Sequence, residues 1–272
     1  MTTIRKRRSG DARKHIVDAI LAARVTSRSI KKKADLKRFL GQYFADVPYE
    51  DLEGRSEMVM AQIAVDHLDF AATRKRGQAL TRIYNANQKE HGYSSDFTFV
   101  ELVNDDMPFL VDSVAAAINR HNLAVHITVH PIIGVKRDSE GRLQGIVPPG
   151  SKDASRESFI RYAIARETDP QELKILHREI QKVLSDIRVA VRDWHTMRER
   201  MSEARDLLEY GPKGADPVLQ AESQALLDWM VNDHFTFLGY REYKLAKRGK
   251  RTFLESVPGT GLGVLSLSLI HI

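Results

Sequence analysis

Residues 96–131, Asp96 to Pro131, read DFTFVELVNDDMPFLVDSVAAAINRHNLAVHITVHP, and this stretch decides the fold. It opens on Phe97, Thr98, Phe99, Val100, Glu101, Leu102 and Val103, aromatic and β-branched residues that predict a strand. Asn104, Asp105 and Asp106 then break the pattern with side chains that favour turns and helix N-caps. Pro108 is tolerated in a first helical turn, where its missing N–H is no loss. Leu110, Val111, Val114, Ala117 and Ile118 recur at steps of three and four, the period of an amphipathic helix. His121 and Asn122 end that helix, and Ala124 to Val129 resumes a strand with Val125, Ile127 and Val129 on one face. The unit is strand, tight polar loop, helix, strand.

Upstream, Ile16, Ile20 and Ala23 predict a first helix over Asp11 to Val25, and Leu36, Phe39, Leu40 and Tyr43 a second over Ala34 to Phe44. Pro48 can open a third helix whose apolar face runs from Leu52 to Leu68. Each has one apolar side and needs a partner surface. Leu80 to Asn87 is a candidate first strand, and Gln88 to Ser95 is polar and turn-rich.

Downstream, the strand after Asn122 is expected to continue through Pro131 to Lys136, with an edge or bulge at the proline. Asp138 to Gly141 reads as a hairpin turn, Gly145 to Ser155 as a loop, and Ser158 to Arg166 as another strand. Asp169-Pro170 starts a long helix. Its stripe runs Leu173, Leu176, Ile180, Val183, Ile187, Val191, Trp194, Met197, Met201, Ala204 and Leu208. Some 40 residues span roughly 60 Å, more than a small sheet covers. The C-terminal half is therefore expected on other helices, through Trp194, Met197 and Met201, with Leu52 to Leu68 or Val218 to Met230 as the cover within the chain and a neighbouring subunit as the alternative partner. Gly211-Pro212-Lys213-Gly214 stops the helix, Asp216-Pro217 caps the next, and Phe235 to Tyr243 is strand-like. Phe235-Thr236-Phe237 echoes Phe97-Thr98-Phe99, a faint sign of duplication. The chain then stops soon after Leu265, so a truncated reading frame is expected, with Ser266 to Ile272 foreign to the parent.

The formal charge of +6 has a location. Residues 1–38 hold 13 Lys or Arg against 3 Asp or Glu, and the remaining residues hold 29 against 33. The basicity belongs to an N-terminal arm without aromatic residues to stack bases, so nucleic acid is not an expected partner. The 272 residues, 42% hydrophobic and 29% charged, can bury a sizeable core. No apolar run reaches membrane-spanning length, and the first ten residues lack the apolar core of a secretory signal. The absence of cysteine excludes disulfides and thiolate metal sites and fits a reducing compartment, so a cytoplasmic location is expected.

Candidate chemistry concentrates in the loop Asn104, Asp105, Asp106, Met107, Pro108, Phe109 and Leu110. Exposed N–H groups at a helix N-terminus favour a carboxylate or a phosphate, and the two aspartates, which oppose an anion, could accept from an ammonium. An amino acid carries both charges. The plainer reading, and the preferred one for any single residue of the loop, is that Asp106 is only an N-cap. His126 and His130 share a strand face but lie ~13 Å apart, too far for one metal ion, so no metal is expected. Gly259, Gly261 and Gly263 lack the dinucleotide fingerprint spacing, and the reading is a turn.

With its flanking strands, NDDMPFLVDSVAAAINRHNL resembles the opening βαβ of an ACT domain, a small regulatory module that commonly binds amino acids. Asp106, Pro108, Phe109 and Leu110 match that family's acidic residue, proline and apolar pair, with Phe109 standing where the family often has Gly. More widely, ELVNDDMPFLVDSV, VHPIIGVKRD, VLSDIRVAVRDWHTM and DHFTFLGYREY resemble, in order, the N-terminal region of the large bacterial NAD-specific glutamate dehydrogenases. The resemblance implies a parent that acts in glutamate catabolism, converting L-glutamate, water and NAD to 2-oxoglutarate, ammonia and NADH. Catalytic and NAD-binding residues would then lie downstream, outside this chain, and the fragment alone is expected to be inactive and to bind no NAD. The implied partners are an amino-acid effector, the downstream catalytic domain of the same polypeptide and further copies in a homo-oligomer. The alternative is a stand-alone amino-acid-sensing or protein-interaction protein of ACT-like fold.

The expected architecture is α+β with an antiparallel sheet and helices on one face. Residues 1–78 form a helical segment with a basic arm, 79–168 the ACT-like domain, 169–211 the long helix, and 216–272 the start of a second α/β module.

Overall fold

A computed structural model describes residues 2–210 and 216–266. The expected helix stop at 211–214 and nearly all of the expected foreign tail, 267–272, lie outside the described residues. The chain divides into two compact units, one ending at Val183 and one beginning at Leu184. No helix among the described residues is long and apolar enough to cross a membrane.

The first unit begins with helices α1 (Thr2–Ala22), α2 (Lys33–Tyr43), α3 (Tyr49–Leu52) and α4 (Glu57–Phe70). The third helix expected from Pro48 onward is in fact two. Gly54 turns the chain at φ 72° after α3, and Ser56 caps α4 by accepting from the Val59 amide. Strands β1 (Leu80–Asn85) and β2 (Thr98–Asp105) follow, separated by the short α5 (Gln88–His91). Then come α6 (Leu110–Arg120), β3 (Val125–Val129), β4 (Ile132–Arg137), β5 (Leu143–Val147) and β6 (Ser155–Ile164).

These six strands form one sheet in the order β1-β2-β6-β4-β5, with β3 also on β6, and every pairing is antiparallel. The α+β class and the antiparallel sheet stand as expected. Because β2 and β3 are each antiparallel to β6, they run parallel to each other, and α6 crosses between them. Pro131 does more than bulge a strand. It divides the run in two, since it can donate no ladder hydrogen bond, and its carbonyl accepts from the Phe159 amide between the β3 and β4 pairings. The loop expected from Gly145 to Ser155 is shorter, its first residues being β5.

Helices cover both faces of the sheet, not one. Phe159 of β6 packs edge-on against Phe39 of α2 and His67 of α4, so odd positions of β6 face the helical lead-in. Even positions face the other way, where the Tyr162 hydroxyl donates to the Val111 carbonyl of α6. The seven residues from Thr98 to Asn104 of β2 are buried on both sides, as are the last eight of β6. Two apolar faces need two covers, and the lead-in supplies the second.

Helix α7 (Pro170–Glu209) starts where the Asp169 carboxylate accepts from the Gln171 amide and runs 40 residues, as the stripe predicts. In the first unit its His177 ring meets the Thr81 hydroxyl at 2.7 Å. In the second unit α7 is joined to α8 (Pro217–Trp229), whose N-terminus Asp216 caps by accepting from Val218. Arg205 pairs with Asp228 at 2.7 Å, and Gln220 donates to the Leu208 carbonyl. Of the two covers expected for the C-terminal half, α8 is therefore in contact. Met197 is fully buried, whereas Trp194 and Met201 are half-buried. A π turn (Met230–His234) follows α8. The strand expected over Phe235 to Tyr243 is replaced by β7 (Gly239–Tyr240) and the start of β8 (Tyr243–Arg248). β8 pairs with β9 (Arg251–Ser256), and β7 with β10 (Leu262–Gly263).

Truncating a buried Met leaves a cavity, while a half-buried Trp is removed partly into water. Met197→Ala should lower stability by ~2–5 kcal/mol, and Trp194→Ala by about 1–2 kcal/mol. Denaturant titration of both variants orders them, and a larger loss for Trp194→Ala contradicts the packing described.

Candidate functional site

The loop singled out in the sequence joins β2 to α6, and the structure places its side chains one by one. Strand β2 runs on through Asp105, and α6 begins at Leu110, so Pro108 lies in the turn before the helix and not in its first turn. Asp106 is not the N-cap. That position is Phe109, held at φ 71° in the left-handed region that favours glycine. Phe109 is 42% exposed, and Leu110 is buried.

Both aspartates are bound within the protein. Asp105 accepts from Arg74 at 2.6 Å and from the Gly77 amide at 2.8 Å. Asp106 pairs with Arg156 at 2.8 Å and accepts from the Ser158 hydroxyl at 3.0 Å. Asn104 is buried with its amide donating to the Asp105 carbonyl at 3.2 Å. Around the aspartates lies a polar cleft of about 760 Å³ whose charged lining includes Arg74, Arg137, Arg156, Asp105, Asp138 and Glu157.

Glu157 is the anchor of that cleft. It is fully buried, meets Arg74 at 2.7 Å, and receives both Nε and Nη2 of Arg137, at 2.8 and 2.9 Å. Register places Asp105 directly opposite Glu157, two like charges that would repel. Arg74, 1% exposed, lies between them and bonds to both. Burial lowers the Arg74 pKa, but Glu157 and Asp105 outweigh it and raise the net value.

Sequence reasoning missed a second charged row. Arg82, Glu101 and Arg161 stand directly opposite one another on β1, β2 and β6, on the face that meets the lead-in. Arg82 Nε donates to Glu101 at 2.8 Å and Nη2 bonds Asp66 at 2.7 Å, while the Tyr84 hydroxyl donates to Glu101 at 3.0 Å. Burial pushes the Glu101 carboxyl up, and its cationic surroundings outweigh that, so its pKa lies below the ordinary value. His67 sits over this row with its ring hydrogen-bonded to Tyr43 at 3.1 Å. Burial lowers its pKa to about 4 against the pull of Glu101. At neutral pH the imidazole is uncharged, which leaves Arg82 and Arg161 to hold Glu101 ionised. The signal was present: one acid within FVELV and one base within FIRYAI, each inside an otherwise apolar strand.

His126 and His130, and His121 at the end of α6, are dispersed. His121 bonds Glu179, His126 lies against the Phe97 ring, and His130 bonds Ser158. Among the described residues no three His, Asp or Glu side chains form a metal-holding group. Gly263 pairs within β10 at φ 58°, where a Cβ would meet the Leu238 carbonyl oxygen at 2.2 Å. It opens no helix, as a dinucleotide fingerprint requires.

Residues 39–180 match the family described as the ACT1 domain of glutamate dehydrogenase. The chain is 36% identical to an NAD-specific glutamate dehydrogenase of Halomonas elongata over 91% of its own length and 16% of the relative's. It is 33% identical to the enzyme of that name from Pseudomonas aeruginosa, over 76% of this chain and 13% of the relative. The Mycobacterium tuberculosis protein of that name is 24% identical over 73% of this chain and 12% of its own length.

Two outcomes follow from this geometry. Phe109→Gly relieves a left-handed backbone and forfeits only part of an exposed ring, so it should cost less than about 1 kcal/mol. A loss near the ~3–5 kcal/mol of a buried Phe truncation would show the ring to be packed. The His67 pKa of about 4 lies below its unfolded value of 6.5, so the unfolded chain takes up the proton first as pH falls. Stability should therefore decline from pH ~6.5 to ~4, by about 3 kcal/mol from this residue. Denaturant midpoints across that range should flatten in His67→Gln; an unchanged slope would mean that the ring titrates freely.

Proposed function

The chain belongs to the glutamate dehydrogenase family, in the N-terminal region that carries the ACT1 domain, and we propose that it is the regulatory and assembly segment of an NAD-specific glutamate dehydrogenase. The parent would take L-glutamate, water and NAD to 2-oxoglutarate, ammonia and NADH, with hydride passing to the nicotinamide. The chain spans 16% and 13% of the Halomonas and Pseudomonas relatives, so the catalytic domain is assigned to the parent's remaining length.

The observation that carries this reading is where the family match falls. Residues 39–180 contain the whole six-stranded sheet, α6 and the start of α7. Within them the loop acids and the buried arginines are engaged with one another, an arrangement suited to a rigid module and not to bond-making chemistry. Neither NAD nor glutamate has an assigned position on this chain. The oligomeric contacts and the effector of the parent belong to the same proposal.

The test is direct. The purified chain, mixed with glutamate and NAD, should give no NADH absorbance above a blank, while the parent enzyme does. NADH formation by the chain alone would sink the reading. Size-exclusion chromatography of the parent with and without residues 1–183 should show smaller assemblies for the shortened protein; an unchanged assembly would remove the structural half of the role.

A further inference from the structure

Arg161 is a buried charge of the first unit whose hydrogen bonds are incomplete. Its guanidinium lies 3.9 Å over the Phe99 ring, and its nearest acid is Glu101, 3.4 Å from Nε. Guanidinium carries five N–H donors, yet among the described residues none of those of Arg161 closes a hydrogen bond, and Nε is buried without one. The residue is 9% exposed. Glu101 compensates its charge only in part: the 3.4 Å contact closes no hydrogen bond, and the same carboxylate also takes Arg82 and the Tyr84 hydroxyl. Leaving a buried donor unmade is costly, most of all for a charged group.

What Arg161 faces is a cavity. A space of about 270 Å³, mostly apolar, lies between the sheet and the helical lead-in, with Arg161 among its lining residues. Phe99 and Ala163 contribute from the sheet, and Val59, Met60 and Ile63 from α4. Exposed Arg55 and Ser94 line it too, so it communicates with solvent. An apolar chamber lined by a buried guanidinium with unmade hydrogen bonds suits a ligand that is apolar at one end and anionic at the other.

We propose that this cavity binds a small monocarboxylate with a branched or aromatic hydrocarbon tail and no amino group, its carboxylate accepting from Arg161. The planar fork of guanidinium matches a carboxylate edge to edge. The tail would occupy the space beside Val59, Met60 and Ile63. An amino acid fits less well, since the one carboxylate of the lining is Asp51 of α3, and the sheet strands that supply Arg161 and Phe99 add no acid to the lining to receive an ammonium. This site is separate from the β2–α6 loop, and it is independent of whether the chain regulates a dehydrogenase.

Isothermal titration of the whole chain with 4-methylpentanoate tests it. One saturable site is expected, with 4-methylpentanol and L-leucine each binding at least tenfold more weakly. Val59→Phe fills the cavity without touching the charged row, and should abolish binding while leaving the melting temperature of the unliganded chain near wild type. Arg161→Lys, which keeps a charge but loses the fork, should weaken binding several-fold. The proposal falls if wild type shows no saturable binding. It falls equally if the alcohol or leucine binds as tightly as the acid, or if Val59→Phe binds unchanged.

Discussion

The buried carboxylate of Glu157 is the constraint around which the first unit is organised. A carboxylate removed from water is tolerated only with charged and hydrogen-bonded partners. Glu157 draws them from separate parts of the chain: Arg74 after α4 and Arg137 at the end of β4, with Asp105 of β2 sharing Arg74. These contacts tie the lead-in to the sheet and fix the register of β2 against β6. A one-residue slip would turn Glu157 to the opposite face and strand two arginines. Removing one partner of such a pair costs ~3–5 kcal/mol, because the remaining charge is left uncompensated.

A parallel logic governs the Arg82, Glu101 and Arg161 row. Both rows lie on the face of the sheet that the lead-in covers, so that interface is part aromatic core and part ion network. The aromatic part is a closed set of contacts among Phe39, Tyr43, His67 and Phe159, three of them edge-on and one tilted. Helices could slide over a purely apolar sheet face. Charged groups with directional bonds restrict such sliding, which is how polar groups in a core specify one arrangement. The glutamate dehydrogenase relatives match through this part of the chain, so a rigid module is what the proposed regulatory role would draw on.

Periodicity made the main elements legible. The steps of three and four from Leu173 to Leu208 fixed α7 almost to the residue, and Leu110 to Ile118 marked α6. What escaped was whatever depends on distant neighbours. The only hint that Phe109 is left-handed was that it stands where the resembled family often has Gly, because its backbone is set by the turn that β2 and α6 impose. The second covered face of the sheet was not legible either, since the helices that cover it precede the strands and could have packed on one another. The aspartates of the loop were visible as acids, but their partners Arg74 and Arg156 lie about thirty and fifty residues away. A pocket assignment made from the loop alone had no means of knowing that its charges were already engaged.

The position of β6 in the sheet has a consequence for biosynthesis. It is the last strand of the sheet in sequence and stands at the centre, pairing with β2, β3 and β4. Chains emerge from the ribosome at roughly 5–20 residues per second. For some seconds, then, three strands exist with the edge that β6 will occupy still open. Unpaired edges of this kind template association with other chains. Before the central strand arrives, the β1–β2 and β4–β5 pairs can already form, and the edges of β2, β3 and β4 that β6 covers are the ones left open.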